Sequence, residues 1–176
     1  PVHSRAGRGH QLALGHVEIR TFERHRRFAV DQAHLLHAQD RFRLGVDCGG
    51  WCPAGRRAED GPIPDRYPLR EVADEAYEVR TRRNVRDSDA TLIVCDGEPA
   101  GGTALTLACC QDEGRPVLLT DAAQEDPAAA LHRLEAFLDR HAVRVLNVAG
   151  PRASESPSAG RYAGTLLTRL LSGPTP

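Results

Sequence analysis

Three apolar runs decide the fold: ATLIVC over Ala90–Cys95, PVLLT over residues 116–120 and VRVLNVA over residues 143–149. Short, continuous apolar runs bounded by turn residues predict strands buried on both faces. Stretches of helical character stand between and after them. Residues 104–110 (ALTLACC) follow the first run. Asp126 and Pro127 supply an N-cap and a first-turn proline for a helix that carries Leu131, Leu134 and Leu138 to about His141. Residues 159–171 place Tyr162, Leu166, Leu167 and Leu170 on one face. Upstream, residues 68–87 read as a helix through Val72, Ala76, Val79 and Val85. Residues 49–68, dense in Gly and Pro, read as a structured loop rather than a helix or strand. The alternation, with short links, predicts an α/β chain with a Rossmann-like three-layer fold, a mostly parallel sheet and right-handed crossovers. Such sheets bind ligands beyond the carboxyl ends of their strands.

Composition narrows the function. The chain has 176 residues, which suits one domain, and a formal charge of −1, which argues against a nucleic-acid partner. No apolar run approaches the roughly 18–20 residues of a membrane span, and no secretory signal pattern is present, so no membrane partner is expected. Five Cys without a signal peptide point to a reducing, cytoplasmic setting. Cys48 and Cys52 have no second pair at zinc-finger spacing, so no metal ligand set is expected and the thiols read as structural. All 23 basic residues are Arg, and Met is absent even at position 1. The start of the chain is unlike the rest: residues 1–44 hold six of the eight His and carry eight Arg against four acids. Val17–Arg20 is short and half polar for a strand, and residues 28–42 form at most a helix interrupted by His. Residues 1–43 are therefore expected to be an atypical leader, disordered or non-native, ahead of a ligand-binding domain over 44–176.

Four loops qualify as sites. Gly49, Gly50 and Trp51 open a stiff segment with Arg56, Arg57, Glu59 and Asp60; the guanidinium groups can grip an oxyanion and the indole can face a heterocycle. Residues 80–89 hold Asn84, the better candidate there for a specific polar contact, among Arg residues that suit a helix C-terminus. Gly101, Gly102 and Thr103 open a helix after a buried strand, where bare backbone and the helix N-terminus favour anions. Asn147, Gly150 and Arg152 sit at the end of the last strand, while Ser154 and Ser156 suit the cap of the next helix.

Taken in order, GGWCPAGRRAEDGPIPDRYPL (49–69), RNVRDSDATLIV (83–94), GGTALTL (101–107), GRPVLL (114–119) and LNVAGPRASESP (146–157) resemble the molybdenum carrier family. That family is similar in turn to the SLOG and lysine-decarboxylase-like Rossmannoid proteins. The resemblance spans residues 44–171. It implies a Rossmann-like fold, a homo-oligomer, and binding of the molybdenum cofactor or a related nucleotide-like anion. It also implies a pocket lined by Gly49, Gly50, Arg56, Asn84, Gly101, Gly102, Thr103, Asn147, Gly150 and Arg152. Family members begin with a strand and a Ser-Gly-Gly-Gln-Thr-Gly-Val-Asp loop; residues 1–43 carry nothing like it. A shifted reading frame or wrong start would account for that stretch and would remove or replace one pocket wall and a central strand.

Two function classes follow. One is a ligand-binding carrier or sensor. The other is an enzyme resembling the nucleoside-monophosphate phosphoribohydrolases of the lysine-decarboxylase-like group. Those carry a Pro-Gly-Gly-x-Gly-Thr-x-x-Glu pattern, whereas PAGGTALT (99–106) has no second Gly-Thr and no Glu. Glu59 and Asp60 are the substitutes for its acid. The departure favours the carrier, with no catalytic residue assigned.

Overall fold

A computed structural model describes residues 17–20, 48–58, 61–73 and 77–172. In chain order these form β1 (Val17–Arg20), β2 (Cys48–Pro53), a 3-10 turn (Ala54–Arg56), β3 (Arg57–Ala58), β4 (Gly61–Pro62) and β5 (Leu69–Val72). There follow α1 (Tyr77–Arg86), β6 (Ala90–Cys95), α2 (Gly101–Asp112), β7 (Val117–Asp121), α3 (Pro127–Arg140), β8 (Val145–Ala149) and α4 (Pro157–Ser172).

The main sheet has six strands in the order β5-β2-β1-β8-β6-β7, and β3 and β4 make a separate two-stranded ribbon. Strand β6 pairs in parallel with β7 and β8, and β2 in parallel with β5. Strand β1 is antiparallel to both β2 and β8 and joins the two parallel parts. All six residues of β6 are buried. Their alternation divides the core: Leu92 and Val94 pack with Leu134, Leu138, Leu166 and Leu167 of α3 and α4, while Ile93 and Cys95 pack with Leu107 of α2. Helix α1 joins α2 on the latter face through Val85, Cys109 and Cys110. This is the expected three-layer, mostly parallel arrangement. Each fully buried leucine contributes about 1.5–3 kcal/mol.

Local signals act as read at several places. The Asp126 carboxylate accepts from the backbone N–H of Ala128 and Ala129, with Pro127 beside it. Ser156 caps α4 by accepting from the Ala159 N–H at 3.1 Å. Cys52, Cys95, Cys109 and Cys110 are buried, and burial pushes the last three up from the ordinary thiol range.

Three expectations need correction. The helix expected over residues 68–87 is two elements: Leu69–Val72 is a strand and the helix begins at Tyr77. Residues 69–72 line up in parallel with β2, and this pairing overrides a loose helical spacing. The loop expected over 49–68 begins as a strand, because β2 lies between β1 and β5 despite its two glycines and proline. Val17–Arg20, read as too short and polar, is the strand that links the two parallel parts. The helix considered over residues 28–42 lies outside the described residues.

Tyr162 of α4 shows how tightly the α3–α4 face closes. The residue is 8% exposed and its hydroxyl has no hydrogen-bond partner among the described residues. Burial, then the carboxylates of Glu125 and Asp126, push the phenol from 10.0 up to about 12. A raised phenol favours the folded state below pH 10 and loses that contribution as pH rises toward 12. Tyr162→Phe removes an unsatisfied hydroxyl, so its stability at neutral pH should equal or exceed that of the wild type. Urea unfolding of both proteins, at neutral pH and at about pH 11, checks this: the wild type alone should lose this share of its stability at the higher pH.

Candidate functional site

The registers of β6 bring the ends of three strands to one rim: Cys95 lies opposite Asp121, and Ile93 opposite Ala149. The loops that leave β6 and β8 therefore emerge side by side. Asp96, just after β6, ties them together by accepting from the hydroxyls of Ser156 and of Ser158, the latter at 2.7 Å. Helix α2 starts at this rim. Its N-cap residue, Ala100, provides no side-chain cap, and the first turn holds no acidic residue. The positive end of the helix is thus left for an anion from outside.

A cleft of about 280 Å³ opens there, lined by Tyr77, Gly101, Gly102, Thr103, Leu105, Gly150, Pro151, Arg152 and Glu155. Gly101 takes a positive φ of 50°, which sets the chain's entry into α2. At Gly102 a Cβ would stand 2.7 Å from the Tyr77 hydroxyl, so glycine lets the phenol lie across the start of the helix. Arg152 is exposed, and its backbone N–H donates to the Glu155 carboxylate at 3.2 Å. Behind Tyr77 lies Arg80, 7% exposed, with its guanidinium carbon 4.3 Å from the centre of the phenol ring.

Five of the eleven residues read from the sequence, Gly101, Gly102, Thr103, Gly150 and Arg152, line this one cleft. The other six do not. Arg56 instead holds its own loop: Nε donates to the Ile63 carbonyl at 2.8 Å, and Nη2 to those of Pro64 at 3.0 Å and Tyr67 at 2.7 Å. Asp65 sits 3.6 Å from it. Asn84 is paired with backbone, its Oδ1 accepting from the Trp51 N–H at 2.8 Å and its Nδ2 donating to the Trp51 carbonyl at 3.2 Å. Gly49 and Gly50 lie within β2. Asn147 is buried inside β8 and donates to Thr91 at 3.2 Å.

Trp51 borders a different groove, of about 710 Å³, with Arg83, Arg86, Asp87, Glu113, Gly114 and Arg115. Its indole N–H donates to Asp87 at 2.7 Å, and the Arg83 guanidinium lies 4.5 Å from its ring centre. Glu59 and Asp60 lie outside the described residues. Cys52 is buried with Ile63 and Tyr67. Among the described residues no group of three or more His, Cys, Asp or Glu is placed to hold a metal ion. Also among the described residues, no helix is long and apolar enough to cross a membrane.

The sequence reading named neither Tyr77 nor Glu155 as a candidate, took Arg80 as one of the Arg residues of a helix end, and took Pro151 only as a strand breaker. A signal for Tyr77 and Arg80 was present: Tyr77, Arg80, Thr81 and Asn84 form one row at helical spacing. A polar row facing inward is the mark of a site or of a polar contact between elements.

Fold and cleft together define a Rossmann-like α/β chain with a cleft at the carboxyl ends of its strands, where sheets of this kind take their ligands. The model of the circularly permutated YpsA SLOG family matches residues 28–171, so the chain belongs to that family. The match begins ahead of Leu44, inside the stretch expected to be a leader. A solved structure, the Putative molybdenum carrier protein from Syntrophus aciditrophicus, is 35% identical with a TM-score of 0.72. The likeness covers 75% of this chain and 84% of that one. No curated protein matches the chain.

Arg56 and Arg152 separate a residue that builds its loop from one that lies open at the rim. Arg56→Ala should lower stability by about 2–4 kcal/mol, since it removes several charge-assisted hydrogen bonds. Arg152→Ala should leave stability within about 0.5 kcal/mol. Denaturant titration of the two variants tests the assignment; equal losses would contradict it.

Proposed function

We propose that this protein binds and carries a small anionic ligand, the molybdenum cofactor or a related nucleotide-like molecule, in the cleft between α2 and the loop after β8. One observation carries the reading: an uncapped helix start, bare glycine backbone and the Arg152 side chain converge on a single concave rim. Backbone amides and a helix dipole suit a phosphoryl group or another oxyanion. The glycines let a bulky ligand approach the main chain closely. The neighbour described as a molybdenum carrier supports a molybdenum-related ligand, with the pterin's phosphate as the anchor on α2. In this reading the protein holds the cofactor by its anionic group. The metal centre supplies oxo-transfer chemistry to whichever enzyme receives it.

A carrier suits the cleft better than a catalyst. Glu155 is the one carboxylate among the described lining residues, and it already accepts from the Arg152 N–H. Hydrolysis by general acid and base calls for a second positioned group. Cytoplasmic residence and self-association complete the proposal, since a homo-oligomer would shield the exposed rim.

The test uses the purified full chain with two probes: cofactor released from a molybdoenzyme, and AMP. Released cofactor should decay more slowly in its presence, AMP should bind saturably, and Arg152→Ala should weaken AMP at least about tenfold, or 1.4 kcal/mol. Absence of binding by both probes overturns the reading, and release of ribose 5-phosphate from AMP replaces it with the phosphoribohydrolase alternative.

A further inference from the structure

Arg80 is a buried cation with no counter-charge among the described residues. It is 7% exposed, its Nε is shielded and has no hydrogen-bond partner, and it forms no ion pair among the described residues. Its recorded contact is the face of Tyr77, at 4.3 Å. A buried charge is expensive unless paired and hydrogen-bonded. Lysine or histidine can escape by shedding a proton; the guanidinium cannot, so its charge persists. The ring of Tyr77 compensates in part, but a cation–π contact leaves the Nε–H unused.

The place of this charge gives it meaning. Tyr77 is the first residue of α1, is 39% exposed and lines the cleft at the start of α2. Its hydroxyl reaches the position that a side chain at Gly102 would occupy. The phenol thus stands between the Arg80 guanidinium and the uncapped amides of α2.

Resting on the reading of that cleft as an anion site, we propose that Arg80 is the principal charge partner of a tetrahedral oxyanion held at the start of α2, with Tyr77 as its cover. The oxyanion is a phosphoryl group or molybdate. When it enters, the phenol rotates off the guanidinium, and Arg80 and the first-turn amides of α2 hold the anion from opposite sides. Arg152, exposed at the rim, attracts the ligand and contributes less. Arg80 therefore disfavours the empty state and favours the loaded one, so binding couples to stability.

The experiment follows thermal unfolding of the wild type, R80M, R80K and R152A at constant ionic strength set by chloride. Inorganic phosphate, molybdate, AMP and adenosine are the added probes. At about a hundredfold excess over Kd, the wild-type midpoint should rise by roughly 5–10 °C with an oxyanion, and should not rise with adenosine. Phosphate without molybdate, or the reverse, identifies the source of the oxyanion. R80M should lose the rise, yet unfold without any probe at or above the wild-type midpoint, because it removes an unpaired buried charge. R80K should recover part of the rise.

A residue with a purely structural role would behave oppositely, lowering the probe-free midpoint and leaving the rise intact. A rise retained in R80M, or an R80M protein that is less stable than wild type or fails to fold, overturns the proposal. If the rise survives in R80M but not in R152A, this inference fails and the cleft reading stands. If the wild type responds to no oxyanion, both fail.

Discussion

The parallel pairing of β6 with both β7 and β8 is the constraint on which the rest depends. A strand buried on both faces has no polar side to settle its register, so backbone hydrogen bonds and packing on two helical layers must do so together. The outcome aligns Cys95 with Asp121 and Ile93 with Ala149. Slip either pair by one residue and every inward side chain of the neighbour changes face. The same alignment ends the strands together, so the loop before Gly101 and the loop of Gly150 and Arg152 meet at one edge. The cleft is thus a consequence of core packing. The bond from Asp96 to Ser156 and Ser158 then keeps the two loops from separating.

The second half of the sheet has a different logic. Strands β2 and β5 form a parallel pair that reaches β8 only through the antiparallel β1. Among the described residues, Cys52, Ile63 and Tyr67 form a small buried cluster here, with Ala58 and Leu69 against it. Polar contacts do much of the fastening. The Arg56 guanidinium gathers carbonyls from residues 63, 64 and 67 into one fold of the loop. The Asn84 amide mimics a strand neighbour, pairing with both the N–H and the C=O of Trp51. A Gly- and Pro-rich segment has few side chains to bury, so fixed hydrogen bonds supply its order.

That contrast explains what could be read from the sequence. Elements whose order comes from apolar burial were legible: β6, β7, β8, the capped helix α3 and α4 all announce themselves by pattern. So did the residues that shape backbone at the rim, Gly101, Gly102 and Gly150, because bare glycine next to a helix start has few purposes. Arg56 and Asn84 were legible as important but not in role. A guanidinium gripping backbone carbonyls and one gripping a ligand oxyanion use the same donors, and only the fold decides which acceptors are within reach. Leu69–Val72 was hidden for a related reason. A strand on the edge of β2 owes its conformation to partners nineteen residues away in the chain, whereas helical spacing is judged locally.

Arg80 was the least legible, since the run from Arg80 to Arg86 resembles a solvated basic helix end. Its burial follows from Asn84, one turn later on the same face of α1. Because Asn84 must reach the backbone of Trp51, the rotation of α1 about its axis is set, and positions 80, 81, 84 and 85 all turn inward. Apolar Val85 and the small Thr81 accept this easily, and Thr81 returns its hydroxyl to the Tyr77 carbonyl at 3.1 Å. A guanidinium at position 80 does not. Leucine or methionine there would fit the same row at lower cost, since neither carries a charge into the interior. Packing alone therefore gives no reason for arginine at the one inward position that faces the phenol at the mouth of the cleft. The oxyanion proposed at the start of α2 gives that reason, and it ties the polar fastening of the β2 side to the cleft on the β6 side.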